Sequence, residues 1–156
     1  MPKFQRREDI SSPYHTRGVF EPKKLRYAVR QVKAFLKLHP EITALAGCGN
    51  SGVPICAAVS YATGLPYITV RKASEREHEG HGGTTVTGYS GSGKYLIIDD
   101  VVDSGSTVRR IITKIREVST YTLQPYGVLC YNYAWKKEIL DDIGNTITIE
   151  SIPGAF

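Results

Sequence analysis

No stretch of this 156-residue chain approaches the ~20 consecutive apolar residues that a membrane-spanning helix needs, so no transmembrane segment is expected. Met1 to Arg7 is basic and polar, without the apolar core of an export signal. A soluble, unexported, cytoplasmic protein is therefore expected. Cysteine is scarce: Cys48, Cys56 and Cys130 are odd in number and far apart, and no Cys-x-x-Cys pair occurs. That argues against a disulfide framework and against a zinc knuckle, and favours reduced thiols. Internal repeats and linkers are also missing, which leaves one domain over residues 1–156 as the expectation. At 41% hydrophobic content a chain of this length buries a core without staples.

Charge of one sign dominates. The formal net charge is +5, and much of the excess sits early, at Lys3, Arg6, Arg7, Arg17, Lys23, Lys24, Arg26 and Arg30. Such an imbalance suits an anionic partner, either a phosphorylated metabolite or nucleic acid, although a solvated basic face needs no ligand at all.

Between Pro22 and Leu38 the residues Leu25, Ala28, Val29, Val32, Phe35 and Leu36 recur at helical spacing, with Pro22 suited to a first turn and Pro40 closing the segment. Four short apolar runs follow with the length of buried strands: 42–46, 65–70, 95–98 and 126–131. Helices are expected between them at 53–62 and 107–118. This alternation predicts an α/β domain with a mostly parallel sheet flanked by helices, whose ligands bind beyond the C-terminal strand ends. Residues 71–94 break the rhythm. They are rich in glycine and charge, and a long flexible loop over about 72–94 is expected there. From Ala134 onward the pattern suggests a short polar helix or turn, then an alternating strand over 146–151.

The segment Tyr95-Leu96-Ile97-Ile98-Asp99-Asp100-Val101-Val102-Asp103-Ser104-Gly105-Ser106-Thr107 carries the most chemistry. An apolar strand runs into two adjacent acids and then into a small-residue loop that opens a helix. Ser104 to Thr107 have little bulk, so their amides converge readily on a phosphate, aided by hydroxyls and the helix dipole. Asp99 and Asp100 suit the vicinal hydroxyls of a ribose, or the waters around a hard cation such as Mg²⁺.

A second glycine-rich turn, Gly47-Cys48-Gly49-Asn50-Ser51-Gly52, also follows a strand and precedes a helix, which suits a second anion site, although a tight turn alone would need the same glycines. The run Gly88 to Lys94 has the glycine and lysine spacing of a nucleotide-triphosphate loop. Tyr95 stands where Ser or Thr should bind Mg²⁺, however, and a strand follows instead of a helix, so that reading is rejected. His78 and His81 form at most a two-ligand metal fragment, and solvated histidines are the better reading.

The 95–107 segment resembles the phosphoribosyl-pyrophosphate signature of type I phosphoribosyltransferases: four apolar residues, two acids, two apolar residues, and a five-residue loop ending in Thr. The resemblance implies the single-domain fold of that family, with a small hood, here available from 1–20 and 134–156. It implies binding of 5-phosphoribosyl-1-pyrophosphate (PRPP) and a nucleobase, release of pyrophosphate, Mg²⁺ as cofactor, and a homodimer. Asp103 to Thr107 would hold the 5′-phosphate, and Cys48, Gly49, Asn50 and Ser51 the pyrophosphate.

Arg71-Lys72, followed by Arg76, His78 and the Gly80–Gly83 run, resembles the mobile loop of orotate-type members. Those cations would neutralise the departing pyrophosphate. Arg76 stands roughly where those members carry a lysine, and the glycine run is two residues longer. Asp103 instead matches an acid that 6-oxopurine members use on the purine ring proton, so the acceptor base stays open between the two types. Tyr131, Tyr133, Trp135 and Phe156 could stack on a base, Tyr133 and Trp135 first.

Two rivals remain from other classes. One is a PRPP-sensing regulator that binds nucleic acid through its basic N-terminal segment. The other is a PRPP synthetase, for which the chain is too short to form two domains.

Overall fold

The computed structural model describes residues 19–72 and 85–153. Helix α1 (Pro22–Leu38) leads into strand β1 (Ile42–Cys48), helix α2 (Gly49–Thr63) and strand β2 (Tyr67–Val70). Strands β3 (Val86–Gly88) and β4 (Gly93–Val102) follow, then helix α3 (Ser106–Ser119), β5 (Leu123–Ala134), β6 (Glu138–Leu140) and β7 (Thr146–Ser151). They form one seven-stranded sheet in the order β3-β2-β1-β4-β5-β7-β6. β1 pairs in parallel with β2 and β4, and β5 pairs in parallel with β4 and β7. Only the edge strands β3 and β6 run antiparallel to their neighbours.

Strand β4 explains why its sequence is apolar on both faces. Tyr95 and Ile97 pack in one core with Val108, Ile111, Ile112 and Ile115 of α3. Leu96 and Ile98 pack in the other with Ala28 and Val32 of α1 and with Ile55 and Val59 of α2. A central parallel strand is covered by helices above and below, so neither face tolerates polar side chains. α3 buries the stripe expected from its periodicity, and α1 starts at Pro22 as expected.

The winding positions the site. From β1 the chain crosses through α2 to β2 on one side; from β4 it crosses through α3 to β5 on the other. The connections leaving β1 and β4 therefore diverge, opening a crevice beyond the C-terminal ends of these two neighbours. Such a switch point is where open α/β sheets bind ligands. Both glycine-rich segments singled out in the sequence lie there.

Several expectations shift. The stretch read as loop over about 72–94 contains β3, which pairs Val86, Thr87 and Gly88 with Val70, Thr69 and Ile68, and it ends on the first residues of β4. Three residues are too few for periodicity to reveal. Within 134–156, where a short polar helix or turn was expected before the strand, β6 forms and makes a hairpin with β7. β7 joins β5 within the main sheet, and Ile139 and Ile147 are buried in the α3-side core. α2 begins at Gly49, four residues before the expected start, because Gly47 and Gly52 allow the helix to begin against the sheet. A Cβ on Gly52 would lie 2.8 Å from the Ile98 carbonyl oxygen. The glycines of the rejected triphosphate loop are structural: Gly93, at φ +122°, lies against Thr43, and Gly91 against the Tyr89 ring.

Candidate active site

β4 continues past the acids to Val102, which pairs with Ala134. A register shift against β5 between Asp99 and Val101 accommodates this. The acids therefore lie within the strand, where they had been expected at its open end, and both are buried, at 4% and 6% exposure. The Asp100 amide donates to Asp99 Oδ1 at 3.0 Å, and the Val101 amide to Asp100 Oδ1 at 2.7 Å. Burial above all, with the Asp100 charge and a hydrogen bond between the two carboxyl groups, pushes the Asp99 pKa up to about 7; the Ser51 hydroxyl and the Asp100 amide oppose this. A cation placed beside it would favour the charged form and draw that pKa back down.

Asp99 nonetheless faces ligand space. With Asp103, Ser104, Gly105, Ser106 and Thr107 it lines a cavity of about 240 Å³ at the start of α3. Gly105, at φ +84°, is the residue before the helix, and no acid occupies the first turn. A Cβ there would stand 3.0 Å from Ile139 Cδ1, so glycine is needed both for the left-handed backbone and for the close approach of β6. The Ser106 amide donates to Ser104 Oγ at 3.3 Å. Asp103, Ser104, Ser106 and Thr107 are exposed, and the turn has the form of an anion cradle at a helix N-terminus.

The turn after β1 has a different character from that expected of it. The Cys48 side chain is buried, and Ser51, also buried, donates to the Cys48 carbonyl at 3.3 Å. Neither side chain projects outward, which leaves backbone groups, Gly49 and the exposed Asn50 as the ligand-facing parts. Gly49 adopts φ +59°, and a Cβ on it would collide with Cε of Lys72. The sheet therefore brings Lys72, at the end of β2, over the turn at the end of β1. Arg71 is half-buried: its amide donates to the Thr85 carbonyl at 2.9 Å, and its own carbonyl accepts from Arg110 Nε at 3.1 Å. Arg76, His78, His81 and Phe156 lie outside the described residues.

Tyr133 and Trp135 stand at the far end of β5, 46% and 67% exposed. Their rings meet edge to face, with centroids 4.6 Å apart. The Trp135 amide donates to the Val102 carbonyl at 3.0 Å, which ties the pair to the end of the acid-bearing strand. Tyr131 is different. It is fully buried, and its hydroxyl donates to the Ser51 carbonyl at 2.7 Å, so it anchors the β1–α2 turn and is removed from the set of base-stacking residues.

Sequence reading missed the supports. Arg109 donates through one guanidinium nitrogen to the Ser104 carbonyl at 2.9 Å and through Nε to the Leu140 carbonyl at 2.8 Å, fastening the cradle to β6. Two turns further on, Arg116 donates to Asp141 Oδ2 at 2.6 Å and also bonds Asp142. Asp141 additionally accepts from the amides of Ile143 and Asn145 at 3.0 and 2.7 Å. Burial opposes the Asp141 charge, but Arg116 and those amides outweigh it and hold the carboxyl below its ordinary range. The Arg109-Arg110 pair just after the small-residue loop was the available signal. The three cysteines are buried.

The fold is a mostly parallel α/β sheet with helices on both faces, and a small-residue turn and an acid pair meet at its switch point. Residues 28–146 match the phosphoribosyl transferase domain, and the chain belongs to that family. Over 97 residues it is 35% identical to the orotate phosphoribosyltransferase of Methanosarcina acetivorans, covering 62% of this chain and 50% of that protein. Over 78 residues it is 31% identical to the hypoxanthine/guanine phosphoribosyltransferase of Methanothermus fervidus, covering 44% and 41%. Transcriptional regulator GfcR 2 of Methanosarcina acetivorans is 32% identical over 85 residues, covering 53% and 42%. The chain thus spans about half the length of these relatives. Among solved structures, Leishmania donovani UMP synthase shares the fold with a TM-score of 0.62 at 22% identity, over 88% of this chain and 28% of that one.

Proposed function

We propose that this protein is a Mg²⁺-dependent phosphoribosyltransferase that moves 5-phosphoribosyl from PRPP to a nucleobase of the orotate or purine type and releases pyrophosphate. One observation carries the reading: Asp99 and the Asp103–Thr107 cradle line the same cavity, so a diol or its cation and a terminal phosphate are held together.

In this reading the amides and hydroxyls of Ser104 to Thr107 hold the 5′-phosphate, and Asp99 and Asp100 face the ribose hydroxyls. The donor set fits Mg²⁺: two buried carboxyl groups supply hard oxygen ligands, and the substrate's own oxygens supply the rest. The ion, when bound, neutralises charge on pyrophosphate and ribose oxygens. The bond from the anomeric carbon to pyrophosphate breaks, and the bond to a ring nitrogen forms. Asp103 accepts the ring N–H proton. The backbone at Gly49 to Ser51, with Asn50, receives the leaving group, and Lys72 and Arg71, with Arg76 and His78, balance its charge. Tyr133 and Trp135 flank the base.

A homodimer belongs to this reading. It is supported by the apolar cleft between α1 and α2, about 390 Å³ in volume, where Tyr61 is 94% exposed. No helix among the described residues is long and apolar enough to cross a membrane. A cytoplasmic location suits charged substrates that do not cross membranes unaided.

The test is a panel of free bases incubated with PRPP and Mg²⁺, with nucleotide formation read by mass. One base should yield its nucleotide. A second reading, a PRPP-sensing regulator of nucleic acid, is favoured by α1, where Lys23, Lys24, Arg26, Arg30, Lys33 and Lys37 occur without a single acid. Salt-dependent binding of DNA or RNA, with no base turned over, would select it.

A further inference from the structure

A second cleft lies at the opposite edge of the sheet from the cradle. It is formed by β3 and the residues just after it, the last turn of α3, and the start of β5, and it measures about 480 Å³. That volume falls within the range of small-molecule sites. Its floor is apolar, from Ile68, Ile115 and Leu123, all buried in the α3-side core. Its rim is rich in hydroxyl groups, including those of Thr87, Ser119 and Thr122.

Two features give the cleft a chemical preference. Among the described residues none that lines it carries a charge, so a phosphate or carboxylate entering it would lose water without gaining a counter-ion from them. The hydroxyl oxygen of Ser119 is shielded from solvent and has no hydrogen-bond partner among the described residues. Buried hydroxyls are ordinarily paired, and because Ser119 lines the cleft, a rotation of its side chain would let an occupant supply the missing partner. Thr122, by contrast, already donates to the Ser119 carbonyl at 2.8 Å.

We propose that this cleft is a second ligand site, for a neutral molecule of about nucleoside size with one flat apolar face and hydroxyl or amide groups at its edge. It is separate from the cradle. The 14 residues of α3 from Ser106 to Ser119 place the two ends of the helix about 20 Å apart. The inference stands on its own lining and does not need the transferase reading.

The probes are adenosine and adenosine 5′-monophosphate, titrated into isotopically labelled full-length protein while backbone amide NMR shifts are followed. Adenosine should give saturable shifts at the amides of Thr87 to Ser90 and Ser119 to Leu123. The monophosphate should bind there at least about tenfold more weakly. Val118→Trp, a change at an exposed position on the rim, should abolish the adenosine shifts without lowering the melting temperature. Ser119→Ala should weaken them. Adenosine shifts confined to Asp103–Thr107, equal binding of both probes at the cleft, or full binding by Val118→Trp would overturn the proposal. Adding PRPP with Mg²⁺ in the same experiment reads the cradle amides separately, so the two sites fail or succeed independently.

Discussion

Lys72 lies across Gly49, with its Cε where a side chain at that glycine would begin. A cation from the end of β2 thereby covers the turn after β1, two segments that parallel pairing of Cys48 with Val70 sets side by side. Gly49→Ala should disturb both partners: its φ of +59° disfavours any side chain, and the methyl group would displace Lys72. We expect a stability loss of about 1 kcal/mol and a larger loss of pyrophosphate binding, measured by titration calorimetry. Lys72→Ala should lower pyrophosphate affinity without that stability loss. Equal affinity in wild type and Lys72→Ala would remove this cation from the site.

Asp99 should make the empty protein less stable as pH rises. Its folded pKa, raised to about 7 by burial and by Asp100, exceeds that of the unfolded chain. The favourable contribution is therefore complete below the unfolded pKa and is lost as pH climbs through about 7. Asp99→Asn cannot ionise. Melting curves between pH 5 and pH 8 should show wild type losing on the order of 10 °C more than the variant. Parallel pH profiles would mean that Asp99 is ionised throughout, without strain.

Arg116 of α3 fastens the β6–β7 hairpin through a buried ion pair with Asp141 and a second with the exposed Asp142. Arg116→Ala leaves Asp141 charged and enclosed, with only amide partners. Urea denaturation should show a loss of about 3–5 kcal/mol. A loss below about 1 kcal/mol would mean that the hairpin is held by its apolar contacts alone.

How much of this was legible beforehand depended on the length of each signal. The helix at 22–38 and the strand at 146–151 were readable to the residue because proline, periodicity and alternation agreed. The acid pair and the 103–107 loop were readable because their chemistry is contiguous. Tyr131 was not: nothing local distinguishes it from Tyr133, yet one is buried under the β1–α2 turn and the other is exposed. Strands β3 and β6, three residues each, carry too little pattern, and they exist because the sheet edges beside them supply partners. The links from Arg109 to Leu140 and from Arg116 to Asp141 were not readable, since those partners lie 31 and 25 residues away.

Arg109 should act on substrate affinity more than on turnover, because it holds the cradle from behind. Arg109→Ala removes the bonds to Ser104 and Leu140. We expect KM for PRPP to rise about tenfold or more with kcat nearly unchanged, from the loss of one or two charge-assisted hydrogen bonds. An unchanged KM would show that the cradle keeps its shape without this support.

The central claim is that Asp99 and Asp100 grip the ribose, or its cation, while the neighbouring cradle holds the phosphate. It is tested most directly by pyrophosphate release from PRPP with Mg²⁺ and the accepted base, comparing wild type with the Asp99→Asn, Asp100→Asn double variant. The account predicts release by wild type and a rate at least about a hundredfold lower in the folded double variant. Equal release by both proteins would contradict it.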